Sequence, residues 1–247
     1  MDSQRPRPGR RGRRRLLKTR RHPAPPAARA RRAPRRIERL TPETLAAGVA
    51  ELARRDPDLA RVVERHGPPP LWAREPGFPT LVRIILEQQV SLSSARATFD
   101  RLLAAASPLT PATLLALDDE TLRAAGFSRQ KADYCRGLAR RVAAGELDLD
   151  ALSSLPDEAV KAALLKVKGV GPWTVDIYLL MALGRPDAWP GGDLALAVAA
   201  QEVKELTSRP TPADLELLAE QWRPFRAVAA HLLWQHYLNR ATRANKV

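Results

Sequence analysis

From Thr41 onward, apolar residues recur with helical spacing. Leu45, Val49 and Leu52 share one face of a segment opened by Thr41-Pro42, a threonine cap followed by a proline at the first helical position. The same Thr-Pro start returns at Thr110-Pro111 and Thr211-Pro212. With these starts and stops such as Gly67, the pattern predicts helices over 57–66, 80–89, 91–105, 111–117, 119–125, 128–143, 156–165, 172–183, 194–206, 212–221 and 224–240. The segment PPPLWAREPGFP (68–79) is turn-rich and separates the second helix from the third. No stretch sustains period-2 alternation between hairpin turns. The predicted fold class is all-α, with short helices and short connections.

Composition narrows this further. A chain of 247 residues that is 45% apolar suits one domain, or two small lobes sharing a cleft. Aromatic residues at 5% and short β-branched runs disfavour a sandwich or barrel. A single cysteine, Cys135, excludes a disulfide framework, a CxxC redox pair and any cluster held by several thiolates. No apolar run approaches the roughly 20 residues needed to cross a bilayer, so no membrane partner is expected. The net charge of +14 is unevenly spread: residues 1–40 hold 16 Lys+Arg against two acids, and the remainder holds 25 of each. The basic character belongs to the tail, and the body is formally neutral. With six prolines and little to bury, the tail is expected to be disordered. It has no secretory apolar core, and its prolines argue against the amphipathic helix of an organellar leader. A phosphate-binding arm and a translation start downstream of the tail are both compatible with it.

The most informative stretch is LLKVKGVGPWTVDIYLLMALGRPDAWPGGD, residues 164–193. One helix ends near Leu165, a tight turn passes through Lys168, Gly169, Val170 and Gly171, and a second helix starts at Pro172. The glycines permit a sharp turn and remove the Cβ atoms that would block close approach of another surface. Free N–H groups at the start of the Pro172 helix suit a phosphate, and Lys168 adds a charge at the tip. Such a site grips a nucleic-acid backbone without reading sequence. Taken alone, it is equally an ordinary corner between two helices. Asp193 stands where it would cap the 194–206 helix, and a carboxylate there would also serve to stabilise a cation or orient water. No His/Cys/Asp group has transition-metal spacing; His22, His66, His231 and His236 read as scattered or helix-surface positions.

Here the motifs carry a resemblance. KVKGVGPWTVDIYLL resembles the hairpin of the helix-hairpin-helix DNA glycosylase superfamily, and LGRPDAWPGGDLAL resembles the loop leading to that family's catalytic aspartate. IILEQQVSLSSA, GFSRQKADY and WRPFRAVAAHLLW are similar to further family segments, in the family's order over residues 80–238. The most similar branch is the 3-methyladenine DNA glycosylase II group, in a short form lacking its N-terminal β-rich domain. The resemblance implies two helical lobes, about 77–185 and 41–76 plus 186–247, around an active-site cleft. It implies Asp193 as the catalytic aspartate, with Gly192 where many relatives carry a second acidic residue. Trp173 stands where bifunctional members carry a lysine nucleophile, which implies a monofunctional enzyme with water as nucleophile. Trp173, Trp234 and Tyr178 would line the pocket for an extruded base, where indoles favour cationic alkylated purines. Lys168, Gly169, Gly171 and Thr174 would contact DNA. Gln89 would wedge into the gap left by the flipped base, with Gln88 beside it in a structural role. The carbonyls of Leu165, Val167 and Val170 would hold a monovalent cation, sodium or potassium, and no cofactor would be required. The implied partner is double-stranded DNA with alkylated bases, met by a cytoplasmic, nucleoid-associated monomer. Arg226 could face either phosphate or an acid.

Overall fold

The computed structural model describes residues 39–244, with side chains to residue 240; the expected disordered tail lies, up to residue 38, outside the described residues. Twelve α-helices and no strands occur among the described residues. They are α1 (Pro42–Arg55), α2 (Pro57–His66), α3 (Phe78–Glu87), α4 (Leu92–Ala105), α5 (Pro111–Leu115), α6 (Asp119–Ala125), α7 (Arg129–Ala143), α8 (Asp157–Leu164), α9 (Pro172–Ile177), α10 (Leu194–Val203), α11 (Pro212–Ala219) and α12 (Arg226–Ala244). All three Thr-Pro starts form reciprocal capping boxes, Thr41 with Thr44, Thr110 with Thr113 and Thr211 with Asp214. Each satisfies end N–H groups that a bare start would leave open.

Several expected helices end at other residues, and in two the backbone changes course. The 80–89 segment stops at Glu87, because Gln88 is extended and Gln89 takes a left-handed φ of 55°. The 172–183 segment is α-helical only to Ile177 and continues as a π turn over Tyr178–Ala182, where Leu183 N–H reaches back to the Tyr178 carbonyl. That widened turn receives the chain entering from the N-terminal side. Leu40 N–H donates to the Gly184 carbonyl (2.7 Å), and Arg74 N–H to that of Met181 (2.9 Å).

Packing divides the helices by neighbour. Helices α1, α2, α10 and α12 pack on one another, as do α3, α4, α6 and α7, with α5 on α7. Helix α9 rests on both α3 and α8. Leu52, Leu59, Leu81, Ile84, Leu102, Leu138, Leu164, Leu196 and Leu233 are fully enclosed in one continuous core. A buried polar knot fastens the first group of helices. Asp56 accepts from the Lys204 ammonium (2.7 Å) and from the Trp222 indole (2.7 Å) while capping α2 through Asp58 N–H (3.0 Å). Burial pushes the Asp56 carboxyl up, but Lys204 and Trp222 outweigh it and hold the group below its ordinary value. His231 and His236 lie inside this packing and not on a helix surface as their spacing suggested. They face the interior because α12 is apolar on most sides and is covered by α1, α2 and α10.

Candidate active site

The hairpin forms as its glycines require. After α8, Val167 N–H donates to the Leu164 carbonyl and Val170 N–H to that of Val167, closing the turn in seven residues before α9. Gly169 sits at φ 88°, and a Cβ there would overlap the Tyr134 ring, so glycine is required twice over. A Cβ on Gly171 would meet nothing within 4 Å, which leaves that face of the turn open. Neither Gly169 N–H nor Gly171 N–H finds an acceptor among the described residues, and Lys168 is exposed at the tip. The Leu165 and Val170 carbonyls likewise accept no hydrogen bond among the described residues, while the Val167 carbonyl accepts from Val170.

Asp193 lies at the far end of the loop that leaves the π turn. It is the N-cap of α10, and its Oδ1 accepts from Leu196 N–H at 3.0 Å. Two indoles complete its surroundings. Trp173, in the first turn of α9, donates Nε1–H to Oδ2 at 2.9 Å, and Trp234 on α12 donates Nε1–H to Oδ1 at 3.2 Å. Three N–H groups from three helices therefore fix one half-buried carboxylate in position and orientation. One side chain thus caps α10 and anchors two indoles. Leu194, the next residue, is 61% exposed, and a shallow cavity of about 200 Å³ beside it is lined by Gly191, Gly192, Asp193, Ala197 and Arg209.

The aromatic wall extends beyond the two expected tryptophans. Trp72 stacks on His231, with centroids 5.4 Å apart and planes 21° apart, and meets Trp234 edge-on at 6.3 Å. Sequence reasoning missed Trp72 because it lies in the irregular 68–79 segment, where no periodicity assigns it a face. His231 offers its Nδ1 to the Ala227 carbonyl (2.8 Å), and burial holds its pKa below the ordinary imidazole value.

Two expected site residues are placed elsewhere. Tyr178 is fully enclosed, its hydroxyl accepting Gly77 N–H at 3.0 Å, because the π turn directs it into the core and not onto the cleft wall. Thr174 is also buried, its Oγ1 accepting from Gln88 Nε2 at 2.8 Å, so its side chain is unavailable to DNA. Gln88 donates the same amide to the Gly169 carbonyl at 2.9 Å, tying the end of α3 to the hairpin as its expected structural role demands. Gln89 is exposed. Arg226 is committed to acids: Asp187 at 3.0 Å, with Glu216 and Glu220 each at 3.3 Å.

A second acid sits in a larger cavity. Asp176, one turn after Trp173, lines a space of about 290 Å³ with Asp157, Glu158, Lys161, Asp187 and Glu216. Burial, with Lys161 opposing and Glu216 reinforcing, pushes its carboxyl up to about 6. No group of three or more His, Cys, Asp or Glu side chains among the described residues could hold a metal ion. No helix among them is long and apolar enough to cross a membrane.

With this geometry in view, the chain can be set beside known proteins. Fission yeast (Schizosaccharomyces pombe) DNA-3-methyladenine glycosylase 1 is 28% identical over 181 residues, 72% of this chain and 79% of its own length. The Bacillus subtilis relative YfjP is 30% identical over 185 residues, 72% of this chain but 64% of its own length, so the chain spans less than two thirds of that relative. Among solved structures, the fission yeast 3-methyladenine DNA glycosylase in complex with abasic DNA superposes with a TM-score of 0.73 at 28% identity, covering 76% of this chain and 95% of that one. A DNA-3-methyladenine glycosidase from Bacillus halodurans gives 0.66 at 28% identity, covering 82% and 92%. Residues 82–224, which take in most of α3, the hairpin, α9 and Asp193, match the family described as HhH-GPD superfamily base excision DNA repair protein. The chain belongs to the HhH-GPD superfamily of base excision DNA repair proteins.

Proposed function

We propose that this protein is a monofunctional DNA glycosylase that hydrolyses the N-glycosidic bond of alkylated purines such as 3-methyladenine and 7-methylguanine in duplex DNA. The observation that carries the reading is Asp193, a carboxylate held by three N–H donors beside an indole where a lysine nucleophile would otherwise stand. Breaking the C1′–N9 bond leaves positive charge on the sugar, and a fixed anion facing C1′ stabilises it. Water then adds its oxygen to C1′, its proton passes to Asp193 or to solvent, and the base departs with the bonding electrons. The products are a free base and an abasic site. Trp173 cannot form a Schiff base, so strand cleavage does not follow.

The aromatic wall supports the substrate class. Trp72 and Trp173 are half-buried and Trp234 is buried edge-on to Trp72; a methylated purine that carries positive charge gains about 0.5–2 kcal/mol over a neutral base for each indole face it meets. A cationic base also leaves without a strong general acid. In this reading the open amides of Gly169 and Gly171, with Lys168, hold a backbone phosphate, and Gln89 fills the vacated stack. The carbonyls of Leu165, Val167 and Val170 would hold a monovalent cation, which would supply positive charge next to that phosphate. The protein acts as a monomer on double-stranded DNA in the cytoplasm, at the nucleoid.

The test is a single-turnover assay on a duplex carrying 3-methyladenine or 7-methylguanine, without added divalent metal or cofactor. Base release with strand breaks only after alkali is the expected result. Breaks before alkali would overturn the monofunctional assignment. Duplex binding without release would move the reading to another lesion class or to a DNA-binding module without chemistry.

A further inference from the structure

The segment Gly126–Tyr134 takes no part in the chemistry above, yet it touches both elements read as facing DNA. Lys131, in the first turn of α7, reaches the end of α3, where its ammonium donates to the Leu86 carbonyl at 2.6 Å and to that of Gln88 at 2.8 Å. A cation at a helix C-terminus meets the partial negative charge of unsatisfied carbonyls. No carboxylate within 4 Å pairs with Lys131 among the described residues, so its charge is directed at this helix end.

The backbone just past that end is strained. Gln89 sits at φ 55°, a left-handed region that an L-residue with a side chain rarely enters. A helix stop of this shape is ordinarily glycine; glutamine here keeps a long side chain exposed at the tip. Strain of this kind persists where the surroundings over-determine it, and three ties do so. Lys131 joins α7 to the end of α3. Gln88 joins that end to the Gly169 carbonyl and to Thr174. Tyr134, whose hydroxyl accepts from Gln130 Nε2 at 2.8 Å, places its ring against Gly169 and so joins α7 to the hairpin. The three elements form a closed triangle.

We propose that Lys131 is a positioning residue that holds Gln89 in its left-handed turn and, through Gln88 and Tyr134, at a fixed distance from the hairpin. The hairpin's grip on one strand and the insertion of Gln89 into the stack then occur as one rigid movement. The inference rests on the reading of Gln89 as the wedge.

The experiment compares Lys131→Met, Gln89→Ala and the double variant on 7-methylguanine in a duplex and in a single strand of the same sequence. A 2-aminopurine beside the lesion reports unstacking independently of bond cleavage. Each single variant is expected to slow duplex excision and reduce the unstacking signal about tenfold, a coupling typical of residues in one network. With Lys131→Met, single-strand excision should stay within about twofold of wild type, because no stack has to be opened there. The double variant should be no slower than Gln89→Ala, and Lys131→Arg, which keeps a cation with several donors at this position, should restore most of the rate. If Lys131→Met fails to fold by circular dichroism, Lys131→Gln, which keeps one donor, takes its place with the same expectations. Equal losses on duplex and single strand, or multiplicative losses in the double variant, would reduce Lys131 to general structure and overturn the proposal. Normal duplex unstacking by Gln89→Ala would remove the wedge reading and the proposal with it. Loss with Gln89→Ala but not with either Lys131 variant would overturn the coupling alone.

Discussion

Asp193 and Asp176 lie 17 residues apart, one before α10 and the other within α9, and they are treated in opposite ways. Asp193 receives three N–H donors and sits half-buried beside a shallow opening. Asp176 receives no hydrogen bond among the described residues, sits in the larger cavity, and is pushed up to about 6. A search that favoured the larger of these two cavities and a perturbed acid would select Asp176. The arrangement of donors selects Asp193. Desolvation without partners raises a pKa but fixes nothing in space, whereas the role proposed for Asp193 requires a carboxylate that is held. A third acid shows that an indole partner alone is not the mark of a site. Asp56 also accepts from a tryptophan, but it is closed in by Lys204 and serves only the packing of α2 against α10.

The contrast is broken or sharpened most strongly at Asp193 itself. Asp193→Asn keeps a capping side chain, so the protein should fold and bind duplex while excision falls by about 10³-fold or more. A single-turnover rate within tenfold of wild type would remove Asp193 from the chemistry. Next in size is Lys204→Met, which leaves Asp56 buried without its cation. Denaturant titration at pH 7 should show a loss of about 3 kcal/mol. The same knot sets an acid limit. Because the folded pKa of Asp56 is held below its ordinary value, its contribution is complete above about pH 4 and disappears as pH falls through the lower folded value. Trp173→Phe and Trp234→Phe keep a ring but remove one donor each. Each should slow excision about tenfold, roughly 1.4 kcal/mol, with less change in the affinity for abasic duplex.

The smallest effect belongs to Asp176→Asn. An acid whose folded pKa is raised carries a penalty that is absent below its unfolded value, grows as pH rises to about 6, and is constant above that. The amide removes it, so the variant should be more stable by about 1–2 kcal/mol at pH 7.5 and indistinguishable from wild type near pH 3.5. Excision should stay within about twofold. A large loss of excision would mean that the larger cavity takes part in the reaction after all.

Much of this was legible in the chain. Helix starts were readable because Thr-Pro caps act locally, and Gly169 was readable because its backbone demand is local too. Asp193 was readable as a cap from its neighbours, and its reading as a site residue rests on the motifs around it. Contacts between distant segments left no such signal. The 101-residue separation of Gly77 and Tyr178 hid the hydrogen bond that draws Tyr178 into the core. Lys131 and the α3 carbonyls are some 45 residues apart, and carbonyls have no side-chain signature. Trp72 lies in a segment without period, so only the fold reveals that it stacks on His231. The early end of α3 was hidden as well, since Gln-Gln reads as helix until the left-handed turn at Gln89 is seen.

On the proposed reading, the double duty of Asp193 also limits how such a protein can diversify. A change of lesion range made at Trp173 or Trp234 disturbs the carboxylate and the start of α10 in one step, so selectivity and folding are inherited together. Leu194 is free of that bond. It stands next to the carboxylate, exposed, in the first turn of the same helix, while the Asp193 cap closes on Leu196 N–H and leaves the Leu194 side chain out of the network. Evolution, or an engineer, can exchange that one side chain for an aromatic or polar one and retune what the opening admits while the machinery behind it stays still.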